Sequence, residues 1–200
     1  MRFAFTDDQK LFAEGLRDLL AKECPPATVR AAWDDGTGHA PELWAHLAEM
    51  GVFGMLVPEA DGGMGGSEVD LVLLLEELGR AAVPGPVLET AAVVAPALGD
   101  ATIVGTAAID GSPYAPHAHV ADVVLVPGGL VRTADATHTD VDGIDGGRRL
   151  FTVTGSSTED FEYDDALAFD RGALAAAAFL VGLSERMIDV AAEYARQREQ

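Results

Sequence analysis

The sequence predicts a mainly α-helical chain with one small β region, in three parts: helical residues 1–99, β residues 100–168 and a long helix over 169–200. Apolar residues recur at helical spacing through the first hundred positions. Short β-branched runs flanked by Gly, Pro and Asp fill the middle. An Ala-rich amphipathic segment then runs to Gln200.

The elements follow in order. Thr6 is an N-cap, with Asp7 and Asp8 favouring the positive end of the helix dipole. Leu11, Phe12, Leu16, Leu19 and Leu20 mark the buried stripe, and Pro25-Pro26 end the segment. A second helix follows Pro41, with Leu43, Trp44, Leu47 and Met50 on one face and Gly51 as its stop. Gly62-Gly63 and Gly65-Gly66 form a tight loop, and Ser67 caps a Leu-rich helix from Glu68 to Arg80. Pro84 and Pro86 break it, and Val87 to Leu98 resumes a short helix. Strands are expected over Thr102–Ile109, Ala121–Val126, Leu130–Arg132 and Leu150–Thr154, with 135–147 as loop. From Asp170 the chain is helical again, and Leu174, Phe179, Leu180, Leu183, Met187 and Ile188 on that helix need other helices to bury them. Either a partner chain covers this face or the sequence is a fragment; a fragment is the expectation.

Composition narrows the function classes. With 13 basic against 33 acidic residues and a net charge of −20, the chain repels a phosphate backbone, which argues against nucleic acid. The single cysteine, Cys24, allows no intrachain disulfide and suits a reducing compartment. The N-terminus lacks the apolar core of a signal peptide. The longest apolar run, Ala173 to Leu183, is about half of a membrane span. A soluble, cytoplasmic protein without a membrane partner is expected.

Several residue groups invite chemical readings that weigh as bland. Glu76-Glu77 sit about 100° apart on a helix, so they do not converge as an acid–base pair and read as a solvated edge. The 62–66 glycines lack the context of a phosphate loop and read as a turn. His117-x-His119 has no further ligands at metal spacing and reads as loop. Asp145 with Arg148-Arg149 reads as an ion-paired turn. Cys24 has no base in view and reads as an inert thiol.

Other segments carry a resemblance. Phe5-Thr6-Asp7-Asp8-Gln9, Leu43-Trp44 through Met50-Gly51-Val52-Phe53-Gly54, Val57-Pro58-Glu59 with Gly62-Gly63-Met64-Gly65, Leu75-Glu76-Glu77-Leu78-Gly79, and Tyr194-Ala195-Arg196-Gln197-Arg198-Glu199-Gln200 stand in fixed order. In that order and spacing the chain resembles the acyl-CoA dehydrogenase family, firmly over 1–100 and 170–200 and thinly between. The resemblance implies that family's fold: an N-terminal helical domain, a reduced middle β domain and the start of a C-terminal helical bundle. It also implies FAD-dependent α,β-dehydrogenation of an acyl-CoA thioester, in which a carboxylate removes the α-proton and the flavin accepts a hydride.

The departures are specific. Where the family carries a flavin-holding Thr/Ser-Glu and Gly-Ser-Asp stretch, this chain reads Ala107-Ala108-Ile109-Asp110-Gly111-Ser112-Pro113, and no tryptophan follows Trp44. The β region is about half the usual length. Some members carry the catalytic glutamate on the first long C-terminal helix; that place falls at Gly172, so no catalytic residue is assigned. Arg198 matches the arginine that reaches a neighbouring subunit's flavin pyrophosphate, and Gln200 the residue beside it. A guanidinium fork and an amide suit that contact; otherwise Arg196 and Arg198 are cations favourable to a helix C-terminus.

The resemblance therefore implies a partner subunit in a heteromer, with FAD shared with or mainly bound by an acyl-CoA dehydrogenase-like partner and an acyl-CoA as substrate. Actinobacterial assemblies of this kind often act on steroid side-chain thioesters. The alternatives are a self-sufficient dehydrogenase continuing beyond Gln200, and a non-enzymatic helical scaffold that binds no flavin.

Overall fold

The structure, a computed structural model, describes residues 4–109, 111–155 and 159–198. Helices come first: α1 (Asp7–Glu23), α2 (Pro26–Asp34), α3 (Pro41–Glu49) and α4 (Glu68–Arg80). A π-helical turn (Glu89–Val94) then runs into the short α5 (Ala95–Leu98). The α1 start is a capping box, in which Thr6 and Gln9 satisfy each other's backbone N–H groups. At α4 the same device pairs Ser67 with Asp70. Pro26 opens α2 instead of ending structure, because a proline at the first helical position gives up only an N–H that has no partner anyway.

The β region comprises β1 (Gly105–Ala107), β2 (Tyr114–Pro116), β3 (Val123–Val126), β4 (Gly129–Arg132), β5 (Ala136–Val141), β6 (Leu150–Gly155) and β7 (Glu159–Asp160). One sheet has the order β1-β3-β4-β7 and the other β2-β6-β5. Among the described residues only the β1–β3 pair is parallel, with Thr106 opposite Val124. β5 corrects the expectation of loop over 135–147: its Thr and His residues alternate along an antiparallel partner of β6, with His138 opposite Val153. The first expected strand shrinks to 105–107, since Val104 N–H is taken by the Asp122 carboxylate at 3.0 Å instead of by a ladder.

The last helix, α6 (Asp165–Gln197), begins inside the stretch expected to be β, because Asp164 caps it by accepting from Leu167 N–H at 3.0 Å. It crosses α4 at a pair of glycines. A Cβ on Gly182 would lie 1.8 Å from the Glu76 carbonyl oxygen, and one on Gly79 2.0 Å from that of Phe179. The two backbones therefore touch, with Ala175 and Ala178 buried in the same seam. Arg171 bonds Glu68 at 2.8 Å, and Arg80 pairs with Glu185 and Asp189. At 33 residues α6 has the length and hydropathy of a membrane-crossing helix, more than its longest apolar run suggests. The glycine seam and these ion pairs instead commit one side of it to α4. Its other side leaves Leu180, Met187, Ile188 and Tyr194 exposed.

The main core joins α1, α3, α4, the π-helical turn and part of the first sheet, with Leu16, Leu47, Leu74, Leu78 and Leu125 essentially inaccessible. Thr90 ties the turn to the sheet: its hydroxyl donates to Gly105 O at 2.8 Å and accepts from Gly105 N–H at 3.1 Å. Glu77 is not the solvated edge expected of it. Its side chain is 9% exposed and takes a two-pronged bond from Arg17, Nε to Oε2 at 2.9 Å and Nη2 to Oε1 at 2.6 Å.

Candidate functional site

A cavity of about 350 Å³ opens where the π-helical turn, the first strands, the 145–149 turn and α6 meet. Its wall is mostly alkyl and aromatic: Leu88, Val93, Ala107, Ile109, Pro116, Phe169, Ala173 and Ala176. The π-helical geometry matters here, since an extra residue per turn re-aims side chains and such turns recur at functional sites. The polar groups are few: Glu89, Ser112, Tyr114 and Arg148. Gly172 also lines this cavity.

Glu89 is the residue that sequence reasoning missed. Its side chain is 17% exposed, and the Arg148 guanidinium stands 3.7 Å away. Burial raises its carboxyl above the usual range, with Arg148 pulling the other way. Its available signal was weak: it is the only charged residue in the apolar run Val87–Leu98.

The turn that delivers Arg148 is held in place. Asp145 accepts from Gly147 N–H at 2.9 Å through its side chain and from Arg148 N–H at 3.2 Å through its carbonyl. The indole of Trp33 lies over Gly146 and Gly147. The expected ion-paired turn is thus a turn, but its arginines pair elsewhere. Asp145 is occupied with backbone N–H groups, Arg148 faces Glu89, and Arg149 pairs with Asp140 and donates to the Gly36 carbonyl.

Beside Arg149 lies a histidine cluster. The rings of His117 and His119 stand 6.4 Å apart, and His119 packs 4.8 Å from Phe151. His119 Nε2–H donates to Thr37 O at 2.8 Å, which joins the β region to the loop after α2. His117 is 4% exposed, its Nδ1 has no hydrogen-bond partner, and its φ is +54°. Burial, then the charges of Arg148 and Arg149 and the neighbouring rings of His119 and His39, push its pKa down to about 3. No group of three or more metal-ligating side chains forms among the described residues.

A larger groove of about 740 Å³ lies between α1, α2, the end of α4 and α6. It contains the buried Cys24, whose thiol burial raises to about 11. That groove is lined by the guanidinium groups of Arg17, Arg30, Arg80 and Arg186, the carboxylates of Asp34 and Glu77, and alkyl surface, and its raised thiol is a poor nucleophile. The smaller cavity is the better candidate, because residues from the helical layer, the β region and α6 converge on it.

Of the predicted site residues, Arg198 is described and Gln200 lies outside the described residues, as does Asp110 of the degenerate β motif. Arg198 sits just past the end of α6, exposed, with its guanidinium 5.9 Å from the Tyr194 ring centroid. It is not among the residues lining the cavity.

Comparisons with known proteins bear on the family and the fold. The acyl-CoA dehydrogenase N-terminal domain profile matches residues 6–104. Acyl-CoA dehydrogenase IpdE2 of Mycobacterium tuberculosis is 32% identical over 97% of this chain and 65% of its own length. IpdE2 of Mycolicibacterium smegmatis is 31% identical over 98% and 67%. The chain thus spans about two-thirds of the length of these relatives. Among solved structures, the ChsE4-ChsE5 complex from Mycobacterium tuberculosis superposes with a TM-score of 0.81 at 22% identity, covering 100% of this chain and 70% of the other. A variant of the Tcur3481-Tcur3483 steroid ACAD gives 0.80 at 23%, covering 97% and 68%. These two likenesses establish the fold. With the profile over the helical part and this chain matched over nearly its whole length to relatives 32% and 31% identical to it, the chain belongs to the acyl-CoA dehydrogenase family.

Proposed function

We propose that this chain is one subunit of a heteromeric, flavin-dependent acyl-CoA dehydrogenase, and that the cavity beside Gly172 takes the acyl part of the thioester. The observation that carries the reading is the cavity itself, apolar and bounded by the helix position where some family members hold a base. Its volume of about 350 Å³ is at the low end for ligand pockets, room for an acyl group and too little for a flavin dinucleotide. Beside it Ala107, at the end of β1, and Ile109 present side chains that offer a flavin ring no hydrogen bond. A whole flavin therefore does not fit this cavity, and we assign the main flavin site and the base to the partner.

The names of the structural neighbours support a two-subunit assembly, and one of them is a steroid enzyme. The exposed Met187, Ile188 and Tyr194 on α6 supply an apolar face for a partner, which also favours the second reading, a scaffold subunit without flavin. We assign to the exposed Arg198, just past the end of α6, the contact to a partner-held pyrophosphate.

Flavin absorbance of the purified chain, alone and co-expressed with an acyl-CoA dehydrogenase-like partner, separates the readings. Colour only with the partner is expected, and Arg198→Ala should reduce flavin retention in that complex. Colour in the lone chain would refute the division of labour. A colourless complex would leave the scaffold reading, and unchanged retention in the Arg198 variant would remove that contact.

A further inference from the structure

Resting on the acyl-cavity reading, we infer that Glu89 and Arg148 select acyl-CoA thioesters whose acyl group carries a hydrogen-bonding oxygen, a hydroxyl or keto group, over plain hydrocarbon chains. The geometry points there. Arg148 Nη2 and Glu89 Oε1 are 3.7 Å apart, close enough to attract but beyond hydrogen-bond distance. The pair faces a cavity whose remaining wall, with Leu88, Val93 and Phe169, is apolar.

A hydrocarbon acyl group filling this space strips water from the buried Glu89 carboxyl and from the side of the half-exposed Arg148 that faces the cavity, and returns no hydrogen bond, which is an opposing cost. A hydroxyl placed at the pair accepts from the guanidinium and donates to the carboxylate, and so replaces the lost water on both sides. A keto oxygen accepts from Arg148 and from Glu89 when that carboxyl is protonated, a state that its burial favours. A ligand carboxylate gains Arg148 but meets Glu89, so it ranks below the hydroxyl. The site therefore discriminates by leaving its own polar groups unpaired against the wrong ligand, a stronger filter than pocket size. Arg148 can hold this position because its turn is fixed by Asp145 and covered by Trp33.

The test is calorimetric titration of the chain, and of its complex with the flavin-bearing partner, with octanoyl-CoA, a set of hydroxyoctanoyl-CoAs bearing the hydroxyl at successive positions, and suberoyl-CoA. The best hydroxylated probe should bind about ten- to a hundredfold more tightly than octanoyl-CoA, the range of a hydrogen bond to a charged group. Glu89→Leu should abolish or invert that preference, and suberoyl-CoA should trail the hydroxylated probe. Arg148→Met, at the more exposed partner, should cut the same ratio and serves if the Glu89 variant does not fold. A merely structural role would weaken all probes together and leave the ratio intact, which would overturn the inference. Equal binding of plain and hydroxylated probes by the unaltered protein overturns it too, while leaving the acyl cavity standing. Binding of no acyl-CoA, in either form of the protein, overturns the cavity reading and the inference with it.

Discussion

His117 makes the stability of this chain pH-dependent in a calculable way. The folded chain keeps its imidazole neutral down to about 3, whereas the unfolded chain takes up a proton near the ordinary value of 6.5. Between these two values the unfolded state binds more protons, so folding stability is full above the upper one and is lost as pH falls towards the lower one. At about pH 5 the loss from this one residue is about 2 kcal/mol, from the distance between that pH and the ordinary pKa. The substitution that isolates it is His117→Asn, because asparagine tolerates the left-handed backbone at this position (φ +54°) better than other non-glycine residues. Urea denaturation of both proteins at about pH 7.5 and about pH 5 provides the measurement, and the variant should lose about 2 kcal/mol less across the interval. The other groups in the cluster, His39, His119, Arg148 and Arg149, are present in both proteins, as is the relief of acidic self-repulsion, so they cancel in the difference. Equal losses in the two proteins would refute the assignment of a neutral, buried His117.

The α4–α6 seam predicts that Gly182→Ala lowers the unfolding free energy by about 3 kcal/mol, because the new methyl meets backbone that cannot rotate away. A change within about 0.5 kcal/mol in urea denaturation would show that the helices do not touch there. Arg17→Met should cost about 2 kcal/mol, since it strands the Glu77 carboxylate, 9% exposed, while the arginine itself is 57% exposed and so contributes less than a fully buried partner. A neutral result in the same assay would return Glu77 to solvent. Cys24, with its thiol raised from 9.0 to about 11, should react with a chromogenic disulfide about a hundredfold more slowly in the native chain than in denaturant. Comparable rates would mean that the groove exposes it.

The helical elements were legible because their signals are local. Thr6 with Gln9 and Ser67 with Asp70 write the α1 and α4 starts directly into the sequence. Local reasoning failed where one residue type serves opposite ends. Pro26 was read as a stop and is a start, so α2 went unseen. β5 was read as loop because its Thr, His and Asp residues are polar and its strand lies at a sheet edge, where only the partner β6 reveals the ladder. The angular argument at Glu76-Glu77 holds, in that the two do not converge. It could not say that Glu77 turns inward, since Arg17 lies sixty positions away in the chain. The cavity was invisible for the same reason: Glu89, Arg148 and Gly172 share no local pattern and meet only when three layers pack.

Gly172 connects the cavity with the helix position where some family members hold a base. A glycine inside a helix costs about 1 kcal/mol relative to alanine, so its presence calls for a reason. At Gly79 and Gly182 the reason is contact, because any side chain would strike backbone. At Gly172 no such reason exists: a Cβ would meet only Val93 Cγ2, at 3.5 Å, an ordinary contact. What the glycine leaves is open space on the wall of the cavity that Glu89 and Arg148 face. A glutamate here would set a second carboxylate on the wall that Glu89 already occupies, and the two would repel. Room at this position and a carboxylate at Glu89 therefore belong together, and both fit the acyl site proposed above.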